Sequence, residues 1–287
     1  MPPLCSAAVN PIVARYDADA ADYARYWGPV LEATAQRLLD YVEPFVARRS
    51  GAVRILEVGA GTGTLLLAAL ERWPRAEFVA TEPAPGMLNL ARQRVLAARP
   101  GESRAIFVAS TADSLAVDAG SIDLVMSSFV LQLVPDRIAA LREAARVLKP
   151  SGMVSYVTWL DRDSRQPFIP ADEFDEAVYE LEIDEPEGAP EPHAGDVRSA
   201  RVATDELRRA GFMRASATEE ELIYGWTQAS YLEYKLAYDE RSLMESLDAA
   251  QAKRLEEIAR KRLARLKERD FRWHAPVVFA RAIKPAT

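Results

Sequence analysis

Residues 53–58, Val-Arg-Ile-Leu-Glu-Val, run straight into Gly-Ala-Gly-Thr-Gly at 59–63. The stretch 64–73, with apolar residues at helical spacing, follows at once. This junction constrains the fold more than anything else in the chain. A short apolar run that ends at glycine is what a parallel strand buried on both faces looks like. Glycine allows a sharp turn and lets a ligand approach the backbone with no Cβ in the way. The N–H groups that open the next helix then face that ligand.

The glycine spacing narrows the ligand. Dinucleotide sites use G-x-G-x-x-G, whose third glycine permits close helix packing; here that position is Thr64, and Gly63 comes one residue early. No Gly-Lys-Ser/Thr follows, so a P-loop is absent. The acid before the glycines, Glu57, suits a ligand with an amino group and would repel a pyrophosphate. A second acid, Glu82, closes the apolar run 77–81. An acid at that place can accept hydrogen bonds from both hydroxyls of a ribose.

The period keeps alternating along the chain. Strands are expected at 53–58, 77–81, 105–110, 122–128 and 153–159, with helices at 64–73, 85–98 and 135–148 between them. That order makes a parallel sheet with right-handed crossovers. Before it, residues 17–45 carry Tyr23, Trp27, Leu31, Ala35 and Leu38 at helical spacing, with Gly28-Pro29 expected to split the helix. After it comes an acidic, proline-rich segment at 160–198, expected to be a solvated loop with one short helix through Phe174 and Val178. A helix with Thr204 or Asp205 near its start, a strand at 214–226, a helical region at 227–270 and a last strand at 273–283 complete the chain. In the helical region Glu256 with Arg260, and Glu257 with Lys261, form supporting i,i+4 pairs.

Composition excludes several classes. The net charge of −7 lacks the basic surface of nucleic-acid binders. No run of 18 apolar residues suggests a membrane span. The first 16 residues do not read as a signal peptide. The single Cys5 rules out an intrachain disulfide and a thiolate metal site. Together these predict a cytoplasmic protein without a metal.

The segments "LEVGAGTG", "VATEPAPGML", "SIDLVMSSFVLQLVPD" and "EAARVLKPSGMVSYVTW" stand in order and at matching spacing. With them the chain resembles the class I S-adenosylmethionine-dependent methyltransferases of the small-molecule branch, which includes quinone and natural-product enzymes. The resemblance is good from Tyr16 to about Trp159. It implies a Rossmann-like seven-stranded α/β sheet in the order 3-2-1-4-5-7-6, strand seven antiparallel, and S-adenosylmethionine as cofactor. By position, Glu57, Gly59, Ala60, Gly61 and Gly63 would surround the methionine part. Glu82 would hold the ribose; Pro83, Met87 and Ala112 would meet the adenine; Ser127 would sit beside the sulfonium. Tyr16, Tyr23 and Trp27 resemble an N-terminal cover. The family commonly has Asp where this chain has Thr111, so either Thr111 or Asp113 reads the adenine amine.

The implied topology brings the ends of strands six and seven to the cofactor edge, with some forty residues between them instead of a tight hairpin. The reading is therefore a helical cover at 1–50 and a methyltransferase domain at 51–287 with cap insertions at about 160–198 and 227–270. The alternative for 227–270 is a homodimer surface.

The sulfonium is already reactive, so such an enzyme mainly aligns donor and acceptor and excludes water. Candidate acceptor contacts are Gln132, Trp159, Tyr224, Trp226 and Trp273. His274 at the head of the last strand is the candidate base, and His193 reads as a solvated loop residue. The expected reaction is methyl transfer to a small organic acceptor, to a hydroxyl oxygen first and to carbon next. The alternatives are a cofactor-binding regulatory protein, an aminopropyl transferase or a nicotinamide oxidoreductase.

Overall fold

The computed structural model describes residues 10–161, 167–181 and 194–286. A helical lead-in comes first: α1 (Pro11–Ala18), the single turn α2 (Ala20–Asp22), a π-helical turn (Tyr23–Trp27) and α3 (Gly28–Val46). The alternating part follows: β1 (Arg54–Val58), α4 (Thr64–Arg72), β2 (Glu77–Thr81), α5 (Pro85–Ala98), β3 (Ala105–Val108), β4 (Ile122–Ser128), α6 (Arg137–Val147) and β5 (Leu148–Trp159). The remainder is α7 (Ile169–Tyr179), α8 (Ala200–Arg209), β6 (Met213–Gly225), α9 (Gln228–Tyr234), α10 (Arg241–Ser246), α11 (Ala249–Leu263) and β7 (Arg272–Ile283).

The seven strands form one sheet in the order β3-β2-β1-β4-β5-β7-β6. β1 runs parallel to β2 and β4, which places Val58 opposite both Thr81 and Ser127. β7 runs antiparallel to β5. This is the order and the reversed strand that the resemblance implies. The parallel strands are buried because helices cover both faces; Leu56, Ile122, Val125 and Tyr156 stand in the core between the sheet and α6 and α8.

The chain divides into two compact units. One holds residues 1–161, 191–220 and 277–287, and the other 162–190 and 221–276. In the second unit an aromatic cluster gathers Phe168, Trp226, Tyr231, Tyr234 and Phe271. Lys235 is buried there and bonds Asp239 at 2.7 Å and Glu240 at 2.6 Å. Arg262 on α11 faces Glu173, Glu176 and Glu180 of the α7 segment. Buried charges are tolerated in this way, when opposite charges meet them. No helix of the described residues is long and apolar enough to cross a membrane.

Four local expectations need correction. Gly28-Pro29 does not break the helix. The preceding turn is π-helical, the Gly28 N–H reaches back to the Tyr23 carbonyl, and Pro29 sits in the first turn of α3, where its missing N–H costs nothing. The interruption lies instead at Asp19, between α1 and α2. α8 begins five residues before Asp205 because the Ser199 hydroxyl accepts from Val202 N, while the Thr204 hydroxyl bonds back to the Ala200 carbonyl. β5 starts at Leu148, since the helix before it ends at Val147. On α11, Arg260 bonds Glu256 at 2.5 Å as expected, but Glu257 faces back to Lys253 and Arg254. His193 and residues 162–166 and 182–192 of the acidic segment lie outside the described residues.

Asp123 ties the buried ends of the strands together. Its carboxylate accepts from Arg54 N at 3.0 Å and Lys149 Nζ at 2.8 Å, with Arg49 at 3.6 Å. Asp123→Ala leaves that backbone N–H without its acceptor and is expected to cost about 2 kcal/mol of stability. Urea unfolding checks this: the midpoint should fall at an unchanged slope, and an unmoved midpoint would refute the tie.

Candidate functional site

A cavity opens at the C-terminal edge of the sheet, where ligands bind in open α/β folds. The glycine turn supplies Gly59 and Gly61 to its lining. The segment after β2 supplies Glu82, Pro83 and Met87, and the loop after β3 supplies Ser110 to Asp113. The loop after β4 supplies Ser128, Phe129 and Val130. Asn10, Val13 and Tyr16 from the start of the chain, with Tyr23 of the π-helical turn, line it from the other side.

The three glycines do different things. All have positive φ, at +70°, +52° and +83° for Gly59, Gly61 and Gly63. A Cβ at Gly59 would collide with Val130, and one at Gly63 would press on Ala91 of α5 at 3.2 Å. A Cβ at Gly61 would meet no protein atom within 4 Å. Gly59 and Gly63 are therefore packing glycines, and Gly61 keeps a lined space open. Behind the turn, the Arg94 guanidinium of α5 donates to the Thr62 carbonyl at 2.7 Å.

A smaller cavity adjoins the first, sharing Tyr23, Gly59, Gly61 and Ser128, and adds Glu57, Ala60 and Thr62. Glu57 is buried, and its Oε2 has no hydrogen-bond partner. Burial, and then the neighbouring charge of Glu82, holds the Glu57 carboxyl well above the usual carboxylate range. A buried acid with an orphaned oxygen is relieved by a cation or a donor. Glu82 is buried as well. One of its oxygens accepts from Gly61 N at 2.9 Å and the other from Ala84 N at 3.0 Å. Its carboxyl is raised too, because burial outweighs these two bonds. Each oxygen retains capacity for one more donor, which suits a pair of vicinal hydroxyls. The two acids, the open space at Gly61 and the apolar Pro83, Met87 and Ala112 fit a ligand with an ammonium, a diol and a flat ring.

Of the expected ligand contacts, Tyr16, Gly59, Gly61, Glu82, Pro83, Met87, Thr111, Ala112 and Asp113 line the main cavity, and Glu57 and Ala60 the adjoining one. Ser127 does not. Its hydroxyl donates to the Val58 carbonyl at 3.0 Å, and it borders a separate small apolar cavity beside Tyr156. Side chains alternate along a strand, so Ser128 takes the ligand face. Gly63 is spent on helix packing. Trp27 packs on Trp159, which packs on Phe129; Tyr23 is the cover residue that lines both cavities.

The expected acceptor contacts separate. Gln132 is buried, donates to the Phe129 carbonyl at 2.7 Å and accepts from Thr158 at 2.8 Å, so its side chain holds the loop after β4. Tyr224 and Trp226 meet edge to face in the second unit, where Trp226 is buried in the aromatic cluster and its backbone N–H donates to the Phe271 carbonyl. Trp273 is half-buried on β7. His274 Nδ1 lies 3.2 Å from Glu221 Oε2, with both residues in the second unit. Lining residues not foreseen include Asn10, Ile12, Val13, Ser128, Phe129 and Val130. Alternation from Val125, which faces the core, places Ser127 with it and Ser128 opposite. Nothing local announces that Phe129 takes a positive φ of 54° to turn the chain after β4.

A family model described as a methyltransferase domain matches residues 55–152. The chain is 35% identical over 144 residues to the malonyl-[acyl-carrier protein] O-methyltransferase of Halorhodospira halophila, covering 50% of this chain and 46% of that protein. To the enzyme of the same name from Magnetococcus marinus it is 31% identical over 196 residues, covering 65% and 67%. The chain thus spans about half to two thirds of these relatives. Among solved structures, a putative sarcosine dimethylglycine methyltransferase from Galdieria sulphuraria superposes with a TM-score of 0.55 at 13% identity, covering 93% of this chain and 98% of that one. At that identity the likeness speaks for the fold.

The Glu57 carboxyl predicts a pH dependence. Its folded value is raised, so the folded chain binds the proton more tightly than the unfolded one. Its contribution to stability is therefore complete below the ordinary carboxyl range and declines as pH rises toward the raised value. Glu57→Gln, which cannot ionise, should match the wild type in acid and be more stable at neutral pH. Chemical unfolding across pH 4 to 8 measures it; parallel wild-type and variant curves would refute it.

Proposed function

The chain belongs to the S-adenosylmethionine-dependent methyltransferases, and from that premise we propose that it transfers the methyl group to an oxygen of a small organic acceptor, a hydroxyl first. The observation that carries the cofactor assignment is the buried Glu57, with an oxygen lacking any partner, beneath a glycine turn that Glu82 braces. In this reading Glu57 meets the ammonium of the methionine part and Glu82 the ribose hydroxyls. Pro83, Met87 and Ala112 flank the adenine, Thr111 or Asp113 reads its amine, and Tyr16 and Tyr23 cover it. Oxygen is favoured over carbon by the two relatives described above, both O-methyltransferases. The net charge of −7 favours a small molecule over a nucleic acid, and the lone Cys5 favours a cytoplasmic setting.

When bound, the cofactor supplies an electrophilic methyl on a sulfonium. The chain's part is to hold it, to align the acceptor oxygen behind the methyl and to keep water out. A hydroxyl must also lose its proton as the new bond forms. His274 is the proposed base: Glu221 at Nδ1 would fix the tautomer that leaves Nε2 basic. Residues 10–27 are proposed to supply the cover.

Calorimetry with S-adenosylhomocysteine tests the cofactor assignment. The wild type should bind it, and Glu82→Ala should weaken binding about tenfold or more, since charge-assisted bonds are lost. Equal affinities would refute the ribose role, and binding of NADH instead would refute the family chemistry. With labelled cofactor and an acceptor found by screening, His274→Ala should lower kcat and leave S-adenosylhomocysteine binding unchanged. An unchanged kcat would remove His274 as base.

A further inference from the structure

α5 begins without a cap of its own. Its N-cap residue is Ala84, which has no side-chain acceptor, and Pro85 follows in the first turn. Helix starts of this kind leave backbone N–H groups unsatisfied and a partial positive charge exposed. The missing acceptor comes from another helix: Asp17 Oδ1 of α1 accepts the Gly86 N–H. The approach is close enough to need glycine, because a Cβ at Gly86 would stand 2.6 Å from the Asp17 carbonyl oxygen. Next to this polar contact Ala20, Ala84 and Met87 pack together, with Val13, Tyr16, Tyr23 and Leu90 against them.

What α5 carries makes the contact consequential. The segment 82–87 that leads into it holds Glu82, Pro83 and Met87, all in the cavity lining, and Glu82 is itself braced by Ala84 N. What α1 carries is the opposite wall, Val13 and Tyr16. We propose that Asp17 is a positioning residue for the cofactor: by capping α5 from outside, it makes the seating of α1 and the ordering of the ribose and adenine segment a single event. Release of α1 removes the wall and uncaps the helix that presents Glu82. Asp17 lines no part of the cavity, so its effect on the cofactor travels through Gly86. The inference rests on the cofactor reading above for its ligand, but the contact between the helices stands without it.

The test compares Asp17→Ala, Asp17→Asn and Gly86→Ala with the wild type. Asn caps helices as well as Asp does, so Asp17→Asn should bind S-adenosylhomocysteine within about twofold of the wild type. Asp17→Ala and Gly86→Ala should each bind about five- to tenfold more weakly and release it faster. The double variant should be no weaker than the weaker single, because both remove one contact. Trypsin, in the absence of any ligand, should cut after Arg15 and Arg25 faster in both single variants. Undiminished affinity in Asp17→Ala, or additive losses in the double variant, would overturn the proposal. So would a lowered thermal midpoint with unchanged affinity, which marks a cap that only stabilises. If the wild type binds no S-adenosylhomocysteine, the cofactor reading fails and the proteolysis alone decides: unchanged cleavage overturns the coupling of α1 to α5.

Discussion

Two carboxyl groups are buried at the ends of β1 and β2, and neither finds enough partners within the chain to be at ease. Burial raises both, and the charge of Glu82 raises Glu57 further. A sheet would not keep such a pair for stability alone, since replacing a strained buried charge with an apolar group usually helps. The rest of the edge is organised around it. The glycine turn lends an N–H to Glu82, Arg94 holds that turn by its Thr62 carbonyl, and the parallel register brings β1, β2 and β4 level beneath it. The strain is of the kind a cationic, hydroxylated ligand relieves, and this is why the two acids mean more than the glycines that first draw the eye.

Much of this architecture was legible in the chain because its strands are buried on both faces. The bounds of β2, β4 and α5 follow from the sequence without error, since there local propensity and burial agree. The order of the sheet needed more than local signals; it came from four motif segments in sequence, and the observed pairing agrees with it. The cavity lining was foreseen where it depends on backbone position: Gly59, Gly61, Glu82, Pro83 and Met87 follow directly from the ends of β1 and β2.

What stayed hidden depends on phase and on distant partners. Ser127 and Ser128 differ by one residue and therefore by a whole face of the sheet, and a motif match alone does not choose between them. Gln132 reads as a polar group available to a substrate until Thr158, far along the chain, is seen to occupy its carbonyl. Trp226 reads as an exposed aromatic contact until α9 wraps Tyr231 and Tyr234 around it. For Gln132 the deciding contact is made by a residue that no short window contains.

The π-helical turn at Tyr23–Trp27 has a consequence for how such a chain can vary. Its hydrogen bonds span five residues where an α-helix spans four, so it inserts about 100° of rotation between what precedes it and α3. The angular phase of residues 10–22 is thereby uncoupled from that of α3, whose buried stripe of Val30, Leu38 and Val42 is committed to the sheet. A single-residue deletion within the turn would swing Asn10, Val13 and Tyr16 to a different azimuth and leave α3 undisturbed. The wall of the cavity can thus be re-aimed by changes in chain length that remake its seat on Ala84, Gly86 and Met87, while the buried stripe of α3 keeps every side chain it has.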